Sequence, residues 1–131
     1  MATRYLHTML RITDPARSRA FYEALGYEFR RESPIVRDGE KEATLYFYGF
    51  PDQEEELELT HNEDGRSYEL GTAYGHIAIG VDDLDPTLSS LKEQGIEPER
   101  APYPVREGGS WLCFVRDPDD YRVEIIGGSG G

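Results

Sequence analysis

The sequence predicts an α+β fold built from two tandem βαβββ modules. His7 and His76 each stand at the start of a strand-like apolar run, and 69 residues separate them. An aspartate follows each histidine after seven residues and a glycine after nineteen, so three marks recur at one offset. Recurrence at a fixed offset indicates an internal repeat. The chain therefore carries one supersecondary unit twice, within a length of 131 residues that suits a single domain.

The first module reads as strand, helix and three further strands. A strand is expected in Tyr5–Ile12, and Asp14-Pro15 is expected to start the helix. Aspartate accepts hydrogen bonds from free N–H groups at a helix start, and proline fits the first helical position. Gly26 can adopt the left-handed conformation that ends a helix. The remaining strands are expected at Tyr27–Arg31, Ala43–Tyr48 and Glu56–His61.

The second module repeats this order. Its first strand lies in Gly75–Val81, Asp85-Pro86 is expected to start its helix, and Gly95 is expected to end it. Its other strands are expected at Ile96–Arg100, Trp111–Val115 and Arg122–Ile126. Residues 1–131 are thus interpreted as one domain, with module 1 at about 4–62, a polar linker at 63–74, module 2 at about 75–126 and a disordered glycine-rich tail at 127–131.

Charge and composition exclude several classes of partner. The net charge is −12, from 26 acidic and 14 basic residues, so the surface repels nucleic acid and anionic membranes. No apolar stretch approaches the roughly 20 residues of a membrane span. A single cysteine, Cys113, lies in an apolar run and is expected to be buried and unreactive. A lone thiol suits a reducing compartment, and we expect a cytoplasmic protein.

Alternation along the strands selects four side chains. Successive strand residues point to opposite faces, so Leu57 and Leu59 place Glu58 on the side away from the aliphatic face. By the same argument His7, His76 and Glu124 lie away from the aliphatic faces of their strands. A lone histidine or glutamate at such a position is usually a surface residue, and matched placement in both halves is what favours a site. Two imidazoles and two carboxylates, if the modules pack symmetrically, suit a borderline divalent cation. His61 has no counterpart and is interpreted as non-functional.

Five segments of the chain have the pattern of a known family, and they are Leu6–Arg11, Phe21–Gly26, Glu58–Asn62, Leu70–Ala78 and Phe114–Glu124. They resemble bacterial glyoxalase I, a family of the vicinal oxygen chelate superfamily whose repeat is also βαβββ. The resemblance covers nearly the whole chain and is most specific in residues 71–78.

This resemblance implies a metal held by His7, Glu58, His76 and Glu124. It also implies a homodimer with the sites at the subunit interface. Short chains of this kind resemble the class activated by Ni²⁺ or Co²⁺, with Zn²⁺ as the alternative. The co-substrate is glutathione or a similar thiol. Its binding residues by likeness are Arg11, Asn62 and Arg106, the last of which stands where relatives usually carry lysine.

The implied reaction isomerises the hemithioacetal of methylglyoxal and a thiol to a thioester through an enediolate. Glu124 is expected to be the main base, with Glu58 acting on the other hemithioacetal stereoisomer. The alternatives are a sister metal enzyme, such as an epimerase or dioxygenase, and a metal-free small-molecule binding protein. Two departures from the family pattern are noted. Asp120 replaces a usual glycine and predicts a strained turn, and Glu63 replaces a usual tryptophan and adds negative charge near the thiol pocket.

Overall fold

The chain folds as two compact units in the computed structural model, which describes residues 2–104 and 106–128. The units are Met1–Glu69 and Leu70–Gly131, so the boundary falls inside the polar segment expected at 63–74. Each unit is an open four-stranded sheet with one helix, which confirms the predicted α+β fold of two βαβββ modules. No helix in the described ranges has the length and apolar character needed to cross a membrane.

In the first unit the first strand pairs with the last. The sheet order is β1-β4-β3-β2, in which β1 is parallel to β4 and the other neighbours are antiparallel. The elements are β1 (Thr8–Ile12), α1 (Pro15–Ala24), β2 (Glu28–Arg37), β3 (Glu40–Gly49) and β4 (Leu57–Asn62).

The second unit has the same topology. Its sheet order is β5-β8-β7-β6, with β5 parallel to β8 and the remaining pairs antiparallel. The elements are β5 (Ile77–Asp83), α2 (Leu84–Glu93), β6 (Tyr103–Pro104), β7 (Trp111–Arg116) and β8 (Arg122–Gly128).

Each unit buries the aliphatic face that alternation predicted. Ile12 and Leu59 are buried in the first unit, and Val123 and Ile125 are buried in the second. Leu6 is an exception, since 58% of it is exposed and β1 begins only at Thr8. The predicted strand start at Tyr5 was therefore wrong. Burial of one sheet face leaves the opposite face of each sheet to carry polar side chains.

Both helices are capped by the aspartate that follows the histidine after seven residues. Asp14 accepts hydrogen bonds from the N–H groups of Ala16 and Arg17, as predicted. The second helix begins at Leu84 with Asp83 as its N-cap, so the predicted start at Asp85-Pro86 was wrong. Proline is accepted in the first turn because the N–H groups there have no partner within the helix.

The strand predicted at Ile96–Arg100 is not formed. The segment makes one backbone hydrogen bond to β7, from Glu99 N to Phe114 O at 2.9 Å, and the short β6 follows at Tyr103. Prolines at positions 98, 102 and 104 lack the N–H that a ladder requires, which explains why this edge pairs so briefly.

Strand β2 runs well past its predicted end at Arg31 to Arg37. Asp38 and Gly39 have φ of 51° and 80°, the positive values of a two-residue hairpin turn. This turn leads directly into β3, so the two strands form one long hairpin. The predicted bounds missed it because residues 32–42 are mostly polar or charged, and hairpin pairing rather than burial orders them.

The turn between β7 and β8 has the backbone that its sequence predicted. Asp120 has φ of 75°, in the left-handed region where glycine is favoured. The Asp117 carboxylate accepts hydrogen bonds from the N–H groups of Asp119 and Tyr121 at 2.8 and 2.9 Å. These bonds hold the turn in place immediately before the strand that carries Glu124.

The tail is partly ordered, contrary to the prediction of disorder from residue 127. Gly127 is buried and pairs with Trp111, and β8 continues to Gly128. Residues 129–131 lie outside the described ranges. A Cβ on Gly127 would lie 2.7 Å from the carbonyl oxygen of Val81, so the close approach of two strands requires glycine here.

We expect Gly127→Ala to lower the free energy of unfolding by about 1–3 kcal/mol, because the added methyl forces two strands apart. Urea unfolding at neutral pH measures this difference. Gly80→Ala is the matched control, since Gly80 lies beside Val81 on the neighbouring strand and a Cβ there meets no atom within 4 Å. Equal stability of the two variants would show that residue 127 is not packed as described.

Candidate metal centre

Parallel pairing of β1 with β4 brings His7 beside Glu58. Met9 lies opposite Glu58 in register, and His7 precedes Met9 by two residues on the same face. His7 Nε2 lies 3.0 Å from Glu58 Oε1. The Glu58 side chain is 10% exposed and that of His7 is 33% exposed, so an edge of the imidazole remains open to solvent.

The second unit repeats the arrangement in the same register. Ala78 lies opposite Glu124, and His76 precedes Ala78 by two residues. His76 Nε2 lies 3.1 Å from Glu124 Oε1, and the two side chains are 38% and 14% exposed. The chain thus presents two imidazole–carboxylate pairs of equal construction.

A phenylalanine supports the histidine in each pair. Phe47 and Phe114 lie opposite Glu58 and Glu124 on the neighbouring antiparallel strands. The His7 ring meets Phe47 edge-on with centroids 5.9 Å apart, and His76 meets Phe114 in the same way at 5.1 Å. Sequence reasoning did not identify these rings, because their position opposite the glutamates depends on strand register.

An arginine covers each of these rings. The guanidinium carbons of Arg31 and Arg122 both lie 3.9 Å from the ring centroids, of Phe47 and Phe114 respectively. Arg122 also donates two hydrogen bonds to Glu99, each 3.0 Å long, and these bonds hold the pKa of Glu99 below its ordinary value. The ion pair fixes the guanidinium over the ring, and the ring in turn limits rotation of the histidine.

Both pairs have the donors and the spacing of a divalent metal site. Two ligand atoms about 2.1 Å from a shared ion and at a right angle to each other are about 3.0 Å apart. The observed N–O separations of 3.0 and 3.1 Å agree with that value. Imidazole nitrogen and carboxylate oxygen favour borderline ions over soft, thiolate-binding ones. The residues present therefore fit such a cation.

Each unit contributes two such donors. Within residues 2–104 and 106–128, no three side chains of the histidine, cysteine, aspartate or glutamate type gather as a metal-binding group. One pair alone leaves most of a cation's coordination sphere unfilled, because zinc takes four ligands and octahedral ions six. A four-donor site therefore needs a second pair in addition to the first.

Glu58 has a second partner in the same strand. Thr60 donates its hydroxyl to Glu58 Oε2 at 2.9 Å, and both residues are 7% exposed. A hydrogen bond to a charged acceptor in a buried position is stronger than one in water. The Glu58 carboxylate is thus held at both oxygens, by His7 at one and by Thr60 at the other.

Glu124 borders a cavity of about 450 Å³. Arg106, predicted from the sequence as a thiol-binding residue, lines the same cavity. Ser110, Leu112 and Ile126 also contribute to its wall. The cavity places a carboxylate and a guanidinium within reach of one small molecule.

The other two predicted thiol-binding residues lie in the first unit. Arg11 stands on β1 opposite Thr60 and shares a sheet face with Glu58. Asn62 ends β4 and donates its amide N–H to the Tyr68 hydroxyl at 2.7 Å. Arg11 and Asn62 therefore share the sheet face that carries the first imidazole–carboxylate pair.

The negative charge of the Glu63 carboxylate is partly compensated by neighbouring side chains. Lys41 Nζ lies 3.4 Å from Glu63 Oε1, and the Thr44 hydroxyl donates to the same oxygen at 3.3 Å. His61 lies 3.9 Å from that oxygen and belongs to neither imidazole–carboxylate pair. The negative charge expected from Glu63 is therefore partly compensated where it stands.

These features define a class of protein in which each of two βαβββ units carries one imidazole–carboxylate pair on its open sheet. The chain belongs to the Glyoxalase/Bleomycin resistance protein/Dioxygenase superfamily, whose sequence profile it matches over residues 4–125. The family predicted from the sequence motifs is thus confirmed.

Relatives in bacteria are similar over most of the chain. A protein of Haemophilus influenzae named lactoylglutathione lyase is 45% identical over 124 residues, which are 92% of this chain and 90% of that one. A probable lactoylglutathione lyase of Vibrio parahaemolyticus is 43% identical over 126 residues, covering 94% and 89% of the two chains.

Solved structures of glyoxalase I have the same fold. The trypanothione-dependent glyoxalase I of Leishmania major superposes with a TM-score of 0.80 at 36% identity, covering 96% of this chain and 87% of that one. Glyoxalase I of Zea mays gives 0.81 at 34% identity, and this chain spans 44% of that longer protein.

Cys113 is excluded as a nucleophile, as the sequence predicted. Its side chain is fully buried, and burial raises the pKa of the thiol to about 11. A protonated, inaccessible thiol can neither attack a substrate nor bind a metal as thiolate.

We expect Cys113 to react with a thiol-specific disulfide reagent at pH 8 only after unfolding. The raised pKa also makes stability depend on pH. The unfolded thiol ionises near ~8.5, whereas the folded thiol stays protonated to about 11. The stability contributed by the protonated Cys113 thiol is therefore fully present below pH ~8.5. It is lost as the pH rises through about 11.

Urea unfolding of the wild type and of Cys113→Ala at pH 7.5 and pH 10 measures this effect. The wild type should lose more of its free energy of unfolding over that interval than the variant does. Equal losses, or rapid labelling of the native thiol, would contradict the buried, protonated assignment.

Proposed function

We propose that this protein is a metal-dependent glyoxalase I, a lyase that converts the hemithioacetal of methylglyoxal and glutathione to S-lactoylglutathione. The observation that carries the proposal is the repeated imidazole–carboxylate pair, at 3.0 Å in one unit and 3.1 Å in the other. Relatives at more than 40% identity that carry the name lactoylglutathione lyase support it.

In this proposal His7, Glu58, His76 and Glu124 hold one divalent cation. The two pairs that complete one site come from two subunits of a homodimer, which gives two equal sites per dimer. Ni²⁺ or Co²⁺ is favoured because short chains of this kind resemble the class activated by those ions. Zn²⁺ is the alternative, since the donor set itself suits all three. The dimer and the metal are inferred from the family resemblance and from the two-donor content of each unit.

The reaction moves one proton between neighbouring carbons. Glu124 removes the proton from the carbon that bears sulfur, and the electron pair of the broken C–H bond passes to the adjacent carbonyl. The same carboxyl group then returns the proton to the former carbonyl carbon. The hydroxyl proton of the sulfur-bearing carbon passes to the other substrate oxygen, so a hydroxyl and a thioester result and no atom is gained or lost. When bound, the cation supplies Lewis-acid stabilisation of the negative charge on the two substrate oxygens.

The cavity beside Glu124 is the place we assign to the substrate. Its volume of about 450 Å³ is in the range of small-molecule pockets. Glutathione carries two carboxylates, and a guanidinium binds a carboxylate through paired hydrogen bonds. Arg106 is proposed to hold one of them, while Arg11 and Asn62 hold the γ-glutamyl end. The different thiol named for the Leishmania relative makes a related thiol the alternative co-substrate.

The test of this function is thioester formation from methylglyoxal and glutathione. We expect the metal-stripped protein to be inactive and to recover activity after addition of Ni²⁺ or Co²⁺. The appearance of thioester absorbance measures the rate. Failure with each of Ni²⁺, Co²⁺ and Zn²⁺, and with both glutathione and γ-glutamylcysteine, would reject the proposal.

The assignment of Glu124 as the base predicts that kcat falls when Glu124 is replaced and does not change when the exposed Glu56 is replaced. Glu124→Gln should lower kcat by roughly 10²–10⁴-fold, the usual contribution of a general base. Glu56→Gln makes the same charge change on an exposed residue two positions before Glu58, and should leave kcat unchanged.

Metal content of each variant, measured by elemental analysis, separates loss of the base from loss of the cation. Near-full activity of a metal-loaded Glu124→Gln protein would reject Glu124 as the base. Glu58→Gln, measured alongside, reports the contribution of the second carboxylate.

A further inference from the structure

The histidines of the two pairs are held in equivalent ways. Each stands two residues before the position opposite its glutamate, and each meets a phenylalanine ring edge-on. The N–O separations differ by no more than 0.1 Å. The placement of the histidines therefore does not distinguish the two pairs.

The carboxylates differ at their second oxygen. Glu58 Oε2 accepts the Thr60 hydroxyl at 2.9 Å in a buried position. The residue two positions after Glu124, on the same strand face, is Ile126, which has no hydrogen-bond donor in its side chain. Among the described residues no hydroxyl donates to Glu124, whose polar contact is with His76.

The surroundings of the Glu58 and Glu124 carboxylates also differ. Ile126 and Glu124 both line the cavity of about 450 Å³, so the Glu124 carboxylate borders open space. The Glu58 and Glu124 side chains are buried to similar degrees, at 10% and 14% exposed, and Glu58 is not among the residues that line this cavity. Movement of Glu58 requires loss of a buried hydrogen bond to a charged group, whereas movement of Glu124 does not.

We propose that Thr60 is a positioning residue that fixes Glu58 as a permanent cation ligand and leaves Glu124 as the carboxylate free to move. The proposal rests on the function proposed above and deepens it. The hydroxyl at position 60 and its absence at position 126 decide which of two otherwise equivalent glutamates transfers the proton. A hemithioacetal stereoisomer that presents its proton toward Glu58 is consequently the poorer substrate.

Three substitutions test this role. Thr60→Val is nearly isosteric and removes the hydroxyl, Thr60→Ser retains it, and Ile126→Thr places a hydroxyl beside Glu124. The first measurement is Co²⁺ affinity and the visible spectrum of the Co²⁺-loaded protein without substrate. We expect Thr60→Val to weaken Co²⁺ binding roughly tenfold and to change the spectrum, since a hydrogen bond to a charged group is lost, and Thr60→Ser to restore both.

The second measurement is turnover in the Glu124→Gln background, where Glu58 is the remaining carboxylate. Releasing Glu58 with Thr60→Val should raise the residual kcat several-fold, a gain that a merely structural role for Thr60 would not produce. Ile126→Thr in the wild-type background should lower kcat with little change in KM. The introduced hydroxyl would donate a hydrogen bond to Glu124, and this bond must break before the carboxylate can move.

The proposal is overturned if Thr60→Val binds Co²⁺ as the wild type does, or if Glu124→Gln and Glu124→Gln/Thr60→Val turn over equally. A wild-type protein that binds Co²⁺ but forms no thioester rejects the proposed reaction instead. In that case the Co²⁺ affinities of Thr60→Val and Thr60→Ser still decide whether the hydroxyl holds Glu58.

Discussion

Parallel pairing of the first strand with the last is the constraint on which each unit depends. In both units the residue two positions after the histidine lies opposite the glutamate, at Met9 and Glu58 in one and at Ala78 and Glu124 in the other. This register puts imidazole nitrogen and carboxylate oxygen about 3 Å apart without any irregular backbone. A shift by one residue would turn the glutamate to the opposite face and destroy the pair.

The rest of each unit keeps this register in place. Buried aliphatic side chains fill one face of the sheet, so slippage would expose them to water. On the other face a phenylalanine stands opposite the glutamate and an arginine covers its ring, held by Glu55 in one unit and by Glu99 in the other. The same strand pairing therefore serves stability and donor placement. The aliphatic face of each sheet is buried, and the opposite face carries the imidazole–carboxylate pair.

Repetition of a unit supplies like donors twice, and small departures from the repeat give them different surroundings. Asp14 and Asp83 cap the two helices in the same manner, and the glycines at 26 and 95 both have positive φ. Where the halves diverge, as at Thr60 and Ile126, the difference lies beside a carboxylate of the candidate site. A superfamily built on this repeat can vary its chemistry at such positions without altering the sheets.

The sequence by itself determined the repeat, the two helices, most strands and the four candidate ligands, because these depend on spacing and alternation along one strand. Predictions from local sequence were wrong at three places. Prolines prevented strand pairing at residues 96–100, and Asp83 rather than Asp85 capped the second helix. Strand pairing ordered Gly127, which was expected to be disordered. Tertiary structure alone decided which residues lie across from the glutamates. The positions of Phe47 and Phe114 depend on strand register, and the position of Arg106 in the cavity wall depends on how the chain folds back on itself. Both depend on contacts between segments far apart in sequence.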